Sequence, residues 1–292
     1  MKDETIINNI KLLDGGMGSE FIKRGINLPN HIWSAHLNLE ASEVIYKIHK
    51  EYINAGADYI TTNTFRTTPR AYSKIGLPLK EAKRSAELSL KSAIKIAKNA
   101  ANTNTKILGS IAPLEDCYRP DLFPGNETAK KEFAELGKWF NEENIDIFLL
   151  ETMNNLEETI TAIDAIKDFN IPLWVSFVLK DSNHILSGEL LSETLETLDN
   201  SNCVKRILLN CNPLPKTKDA LKIMSNNCSS PWGIYPNLGI GEPSPDGNIE
   251  NIYSDEEFLE IIQSSIKLGA TIVGGCCGSS PKHINLLKNS LC

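Results

Sequence analysis

No stretch of this 292-residue sequence runs for the roughly 18 apolar residues that a membrane-spanning helix needs. Lys and Arg are nowhere clustered and the formal net charge is -7. That balance argues against nucleic acid and anionic membrane as partners. The opening MKDETIINNIKLLDGG is polar and acidic and lacks the apolar core of a signal peptide, so a cytoplasmic protein is expected. Seven cysteines are too sparse for a disulfide scaffold at this length, and an odd count in a cytosolic chain points to free thiols, metal or catalysis. No Gly-x-Gly-x-x-Gly follows the first apolar run, and no low-complexity segment or linker divides the chain. One Pro/Gly-rich stretch, Pro236 to Asn248, is long for a connection, and a role at the mouth of a site is expected of it.

What the chain does have is 41% hydrophobic residues in a regular order. Short runs rich in Ile, Leu and Val fall at Ile10–Asp14, Asp58–Asn63, Lys106–Ile111, Asp146–Glu151, Leu173–Leu179, Arg206–Cys211, Trp232–Asn237 and Thr271–Cys276. Most lack alternation, as strands buried on both faces do. Between them lie helical patterns, of which Ser42–Gly56 is typical: apolar residues recur at three- and four-residue steps and a glycine stands where a C-terminal cap belongs. Eight strands alternating with eight helices predict a parallel sheet. Eight units in this length fit a (β/α)8 TIM barrel, one α/β domain over residues 1–292, better than a doubly wound open sheet.

In such a barrel the active residues sit at the C-terminal strand ends. Those ends hold Asp14 with Gly15 and Gly16, then Thr62 and Asn63, Glu151, Asn210 and Cys211, and finally Gly275, Cys276 and Cys277. Three thiols distant in sequence therefore converge on one rim. Three thiolates with room for one more ligand suit zinc, which accepts sulfur and prefers tetrahedral coordination. Neighbours in a regular strand face opposite ways, so the vicinal pair needs a turned backbone, which the flanking glycines are expected to supply. The plain alternative is three unrelated buried cysteines. Cys117, Cys203, Cys228 and Cys292 have uninformative neighbours and are read as ordinary packing or surface residues.

The ordered segments LLDGGMGSE, TTNTFRT, LLETM, LLNCN and GGCCG resemble those of the zinc-dependent homocysteine S-methyltransferases, from about Leu12 to His283. The resemblance implies a (β/α)8 enzyme with Zn2+ held by Cys211, Cys276 and Cys277, and homocysteine bound through Asp14, Gly15, Thr62 and Glu151. Asp14 and Glu151 are suited to hold an α-ammonium through charge-assisted hydrogen bonds, and Thr62 with backbone N–H groups to hold the carboxylate. Read without it, Asp14 is a turn residue and Glu151 a helix-start carboxylate.

The resemblance also implies methyl transfer from an onium donor to the homocysteine thiol, giving methionine. Betaine users of the family carry tyrosines where this chain has Thr152 and Arg66, although Trp33 matches a family tryptophan. A buried Arg repels a cation unless paired, so S-methylmethionine or S-adenosylmethionine is the expected donor. Trp33 reads equally as a core aromatic. The loop Ala112–Asn126, with Tyr118 and Arg119, is a candidate to reach the donor, and His184 reads as a solvated loop residue. A betaine or corrinoid-linked donor, or a non-catalytic zinc or thiol sensor, are the competing functions. A stand-alone monomer or small homo-oligomer is expected.

Overall fold

The apolar runs become eight parallel strands, and helices cover their outer faces. The computed structural model describes residues 10–239 and 253–291. In order, it contains β1 (Lys11–Leu12), α1 (Met17–Lys23), α2 (Leu37–Glu40), α3 (Ser42–Ala55), β2 (Tyr59–Thr61), α4 (Pro69–Lys74) and α5 (Leu79–Ala100). Then follow β3 (Lys106–Ile111), α6 (Asn126–Glu142), β4 (Ile147–Met153), α7 (Leu156–Ile166), β5 (Leu173–Phe177) and α8 (Leu191–Asp199). The chain continues through β6 (Val204–Asn210), α9 (Leu214–Asn227), β7 (Trp232–Tyr235), α10 (Asp255–Lys267), β8 (Ile272–Val273) and α11 (Pro281–Ser290).

Each strand pairs in parallel with its neighbour in sequence, and β1 pairs with β8. A parallel bridge between Leu13 and Tyr59 joins β1 to β2 and closes the ring. The fold is the expected (β/α)8 barrel. One apolar cluster fills its interior, with Leu13, Leu108, Leu149, Trp174, Leu208 and Tyr235 among its members. A larger cluster lies between strands and helices. Two-sided burial explains why most of the strands lack polar–apolar alternation.

Local chemistry sets the helix ends. In α3 the buried Ile45, Ile48, Tyr52 and Ile53 form one stripe, and Gly56 stops the helix in the left-handed region at φ 112°. Ser254 and Glu257 form a reciprocal cap on α10. Strict alternation is broken near the start, where α1 and α2 precede α3 and α4 precedes α5. These pieces of 4–7 residues are too short to show a full apolar period. Most of the Pro236–Asn248 stretch, and Cys292, lie outside the described residues. Among the described residues no helix is long and apolar enough to cross a membrane.

Candidate metal centre

The three thiols expected on one rim do meet. Cys211 follows the last residue of β6, and Cys276 and Cys277 lie beyond β8. Their sulfurs lie within 4.8 Å of one another, with Cys211 Sγ 3.8 Å from Cys277 Sγ and the vicinal sulfurs 4.0 Å apart. Around a tetrahedral ion with Zn–S bonds of about 2.3 Å, ligand sulfurs stand about 3.8 Å apart. The donor set and its spacing therefore fit a thiophilic ion with one of four positions left over. The six described cysteines are all free thiols.

The backbone that gathers them is built by close approach. Cys211 has φ 54°, and its N–H donates to Tyr235 O at 3.3 Å. Cys276 N–H donates to Pro236 O at 2.8 Å, and Cys277 O accepts from Leu238 N–H at 3.0 Å. Gly278, at φ 79°, supplies the one left-handed turn beside the pair, and its N–H donates to Ser19 Oγ at 2.7 Å. Gly274 and Gly275 serve otherwise than expected, since neither has a positive φ. A Cβ on Gly274 would stand 2.8 Å from Leu13 Cβ, and one on Gly275 2.5 Å from Ser279 Cβ. They are glycines because β1 and the Ser279 turn press against them.

The thiols share protons unequally. Hydrogen bonds from Cys211 and then Cys277 hold Cys276 well below the usual thiol range. Cys211 is pushed up by its contact with Cys276. Cys277 is eased by Cys211, but Cys276 and burial outweigh that and raise it.

Two carboxylates flank the three thiols. Asp14 is buried after β1; Thr61 N–H donates to its Oδ2 at 2.7 Å and Thr61 Oγ1 to its Oδ1 at 2.9 Å. Burial outweighs those bonds and raises its pKa to about 7. Glu151 on β4 accepts from Ser110 Oγ at 2.5 Å, and the Tyr235 hydroxyl approaches it without a well-aligned bond. Glu151 is partly exposed to the mouth, yet desolvation and then the Cys276 charge lift its pKa to about 8. Both carboxyls are short of a positive partner, which a bound ammonium would supply.

Gly15 leaves no room for a side chain: a Cβ there would meet Ser279 Oγ at 2.5 Å and Tyr52 at 2.9 Å. Thr62 is placed differently from its neighbour. Its hydroxyl meets Thr64 Oγ1 at 2.7 Å and Leu108 O at 3.2 Å, and accepts from Ser110 N–H at 3.2 Å. It is committed to the β2–β3 seam. Thr61, which the sequence reading passed over, is the threonine that holds Asp14.

The loop from Ala112 to Asn126 is tied down from three sides. Arg66 donates to Glu115 O at 2.6 Å and Pro113 O at 3.3 Å, Leu114 N–H donates to Glu158 Oε1 at 2.9 Å, and Asn154 Nδ2 reaches Cys117 O at 3.0 Å. Arg70 and Lys74 pair with the Glu115 carboxylate. Tyr118 on this loop lies close enough to the three thiols to feel their charge; burial first, and that charge next, push its pKa well above the usual phenol range. Arg66 also lies over the Phe65 ring, 5.0 Å from its centroid. Trp33, at φ 48°, packs its indole 3.0 Å from where a Gly18 Cβ would stand. His184 pairs with Asp181 at 2.8 Å and stays outside the cluster.

Comparison with known proteins identifies the family. The homocysteine S-methyltransferase family matches residues 11–291. The chain is 28% identical to the homocysteine S-methyltransferase YbgG of Bacillus subtilis, with 94% of this chain and 91% of the relative covered. It is also 28% identical to the homocysteine S-methyltransferase of Escherichia coli, with 96% and 94% covered. The crystal structure of the metallated form of the Escherichia coli homocysteine methyltransferase MmuM superimposes with a TM-score of 0.82 at 25% identity, over 97% of this chain and 96% of that one.

Proposed function

This chain belongs to the homocysteine S-methyltransferase family, and we propose that it moves a methyl group from a sulfonium donor to the thiol of homocysteine, giving methionine, at a zinc ion held by Cys211, Cys276 and Cys277. The observation that carries this reading is the group of three sulfurs within 4.8 Å of one another on the rim that also bears Asp14 and Glu151. When bound, zinc lowers the pKa of a thiol that joins the three cysteines and keeps that thiol anionic at neutral pH.

The chain's own residues do the rest. Asp14, fixed by both bonds from Thr61, and Glu151, fixed by Ser110, grip the α-ammonium of homocysteine and are held ionised by it. Gly15 lets the turn after β1 pack directly against Ser279 and Tyr52, which sets the position of Asp14 beside it. Thr62 braces the β2–β3 seam beside it, and backbone N–H groups meet the carboxylate. With its ammonium end fixed, the substrate's sulfur is aimed at the donor. It forms a bond to the methyl carbon as the carbon–sulfur bond of the sulfonium breaks, and the leaving thioether keeps the electron pair. No general base is needed in that step, and alignment carries much of the rate.

The preference for a sulfonium over betaine rests on the family resemblance alone, since this chain has Thr152 and Arg66 where betaine users carry tyrosines. S-Methylmethionine and S-adenosylmethionine are the two candidates. The free thiols are consistent with a cytoplasmic setting. The test is metal analysis of the purified protein combined with a panel of three donors at fixed homocysteine. One zinc per chain and fastest turnover with a sulfonium are expected; fastest turnover with betaine would overturn the donor, and full turnover without metal would overturn the site.

A further inference from the structure

The Asn-Cys pair after β6 has a first member with no role in the reading above. Asn210 is fully buried and its amide is saturated. Oδ1 accepts from Ser176 Oγ at 2.6 Å and from Thr152 N–H at 3.2 Å. Nδ2 donates to Thr152 Oγ1 at 2.7 Å, and its remaining contact is Cys276 Sγ at 4.0 Å. A carboxamide has two hydrogens and two lone pairs, and all four are used here. The orientation is also fixed, because a flipped amide would set its NH2 against the Thr152 N–H.

The residues it touches bring three strands of the rim together. Thr152 follows Glu151 and holds φ 58°, an unusual conformation for a β-branched residue. Asn210 engages both its N–H and its hydroxyl. Ser176 is on β5, between the strands that carry Thr152 and Asn210. Cys211, the next residue, is itself left-handed at φ 54°. One side chain therefore joins the strand end bearing Glu151, the Cys211 turn and the Cys276 sulfur.

We propose that Asn210 is a positioning residue that donates its amide N–H to Cys276 Sγ, drawing charge from that sulfur and fixing it relative to Glu151. The proposal rests on the assignment of the three cysteines as metal ligands. Groups that hydrogen-bond a ligand tune a bound metal and typically change its affinity by about 10–100-fold. Loss of the N–H makes Cys276 a stronger electron donor and a less well-placed one.

Cobalt(II) loaded into the full chain in place of zinc gives a sulfur-to-metal charge-transfer band that reads donor strength directly. Asn210→Ala should move that band to longer wavelength and weaken cobalt binding at least about 10-fold in a chelator competition. Ser176→Ala leaves Asn210 in place but frees Oδ1. It should move the band the same way by less, and serves if Asn210→Ala does not fold. An unshifted band and unchanged affinity in the folded variant would overturn the proposal. Absence of a thiolate charge-transfer band in the unsubstituted protein would overturn the ligand assignment itself, so the two failures are distinguishable.

Discussion

Cys211 Sγ lies 3.8 Å from Cys277 Sγ although 66 positions separate them in the chain. A contact that long-range exists because β6 and β8 flank β7 and end on the same rim. Removing either sulfur leaves two donors, too few to hold the ion against water. Cys211→Ser and Cys276→Ser should each lose more than about 100-fold in metal affinity, since changes one step further out already cost about 10–100-fold. Turnover should vanish with the metal. Metal content after dialysis and a homocysteine-dependent methyl-transfer assay check this, and full activity in either variant would refute the assignment.

The carboxylates should separate binding from chemistry. Asp14→Asn and Glu151→Gln keep shape and remove charge from the group that faces the ammonium. A hydrogen bond to a charged partner contributes about 1.5–3 kcal/mol, so the KM for homocysteine should rise about 10- to 100-fold with metal content unchanged. Thr61→Val, which strips one of Asp14's two holders, should give a smaller rise in the same direction. Steady-state kinetics at saturating donor measures all three; an unchanged KM in Asp14→Asn would remove it from the site.

Much of this was legible in advance, for identifiable reasons. Two-sided burial leaves β3 and β5 without polar–apolar alternation, and a left-handed stop writes Gly56. The cysteines could be placed because the ends of β6 and β8 share a rim. The part played by Thr61 was not legible, because its two bonds to Asp14 reach across 47 positions and nothing local marks them. Gly274 and Gly275 announced a special backbone, but their partners, Leu13 and Ser279, include one from the far end of the chain, so crowding and unusual torsion read alike. Arg66 stood out as a departure from an aromatic pattern; its acceptors, the carbonyls of Pro113 and Glu115, are 47 and 49 residues away.

That role for Arg66 carries its own prediction. The guanidinium holds two carbonyls of the loop bearing Tyr118, and no shorter side chain spans to them. Arg66→Ala should raise amide hydrogen exchange across residues 112–119 and increase the KM for the donor, while metal content stays at the parental level. Exchange confined to its parental rate in that segment would show that Glu158 and Asn154 suffice to hold the loop.

Stability should depend on pH through His49 on α3. Its imidazole is fully buried on α3, neither ring nitrogen has a hydrogen-bond partner, and burial lowers its pKa from 6.5 to about 4. Between those values the unfolded chain takes up a proton that the folded chain refuses. The stabilisation is therefore complete above pH 6.5 and is lost as pH falls towards 4, to a total on the order of 3 kcal/mol. Asp14 and Glu151, with raised pKa values, act in the opposite sense as pH rises, so the parental curve alone does not isolate the histidine. The difference between the parent and His49→Leu does. In urea unfolding at pH 7 and pH 4.5 the parent should lose more stability than the variant, and parallel losses in the two proteins would show that His49 takes up its proton without unfolding.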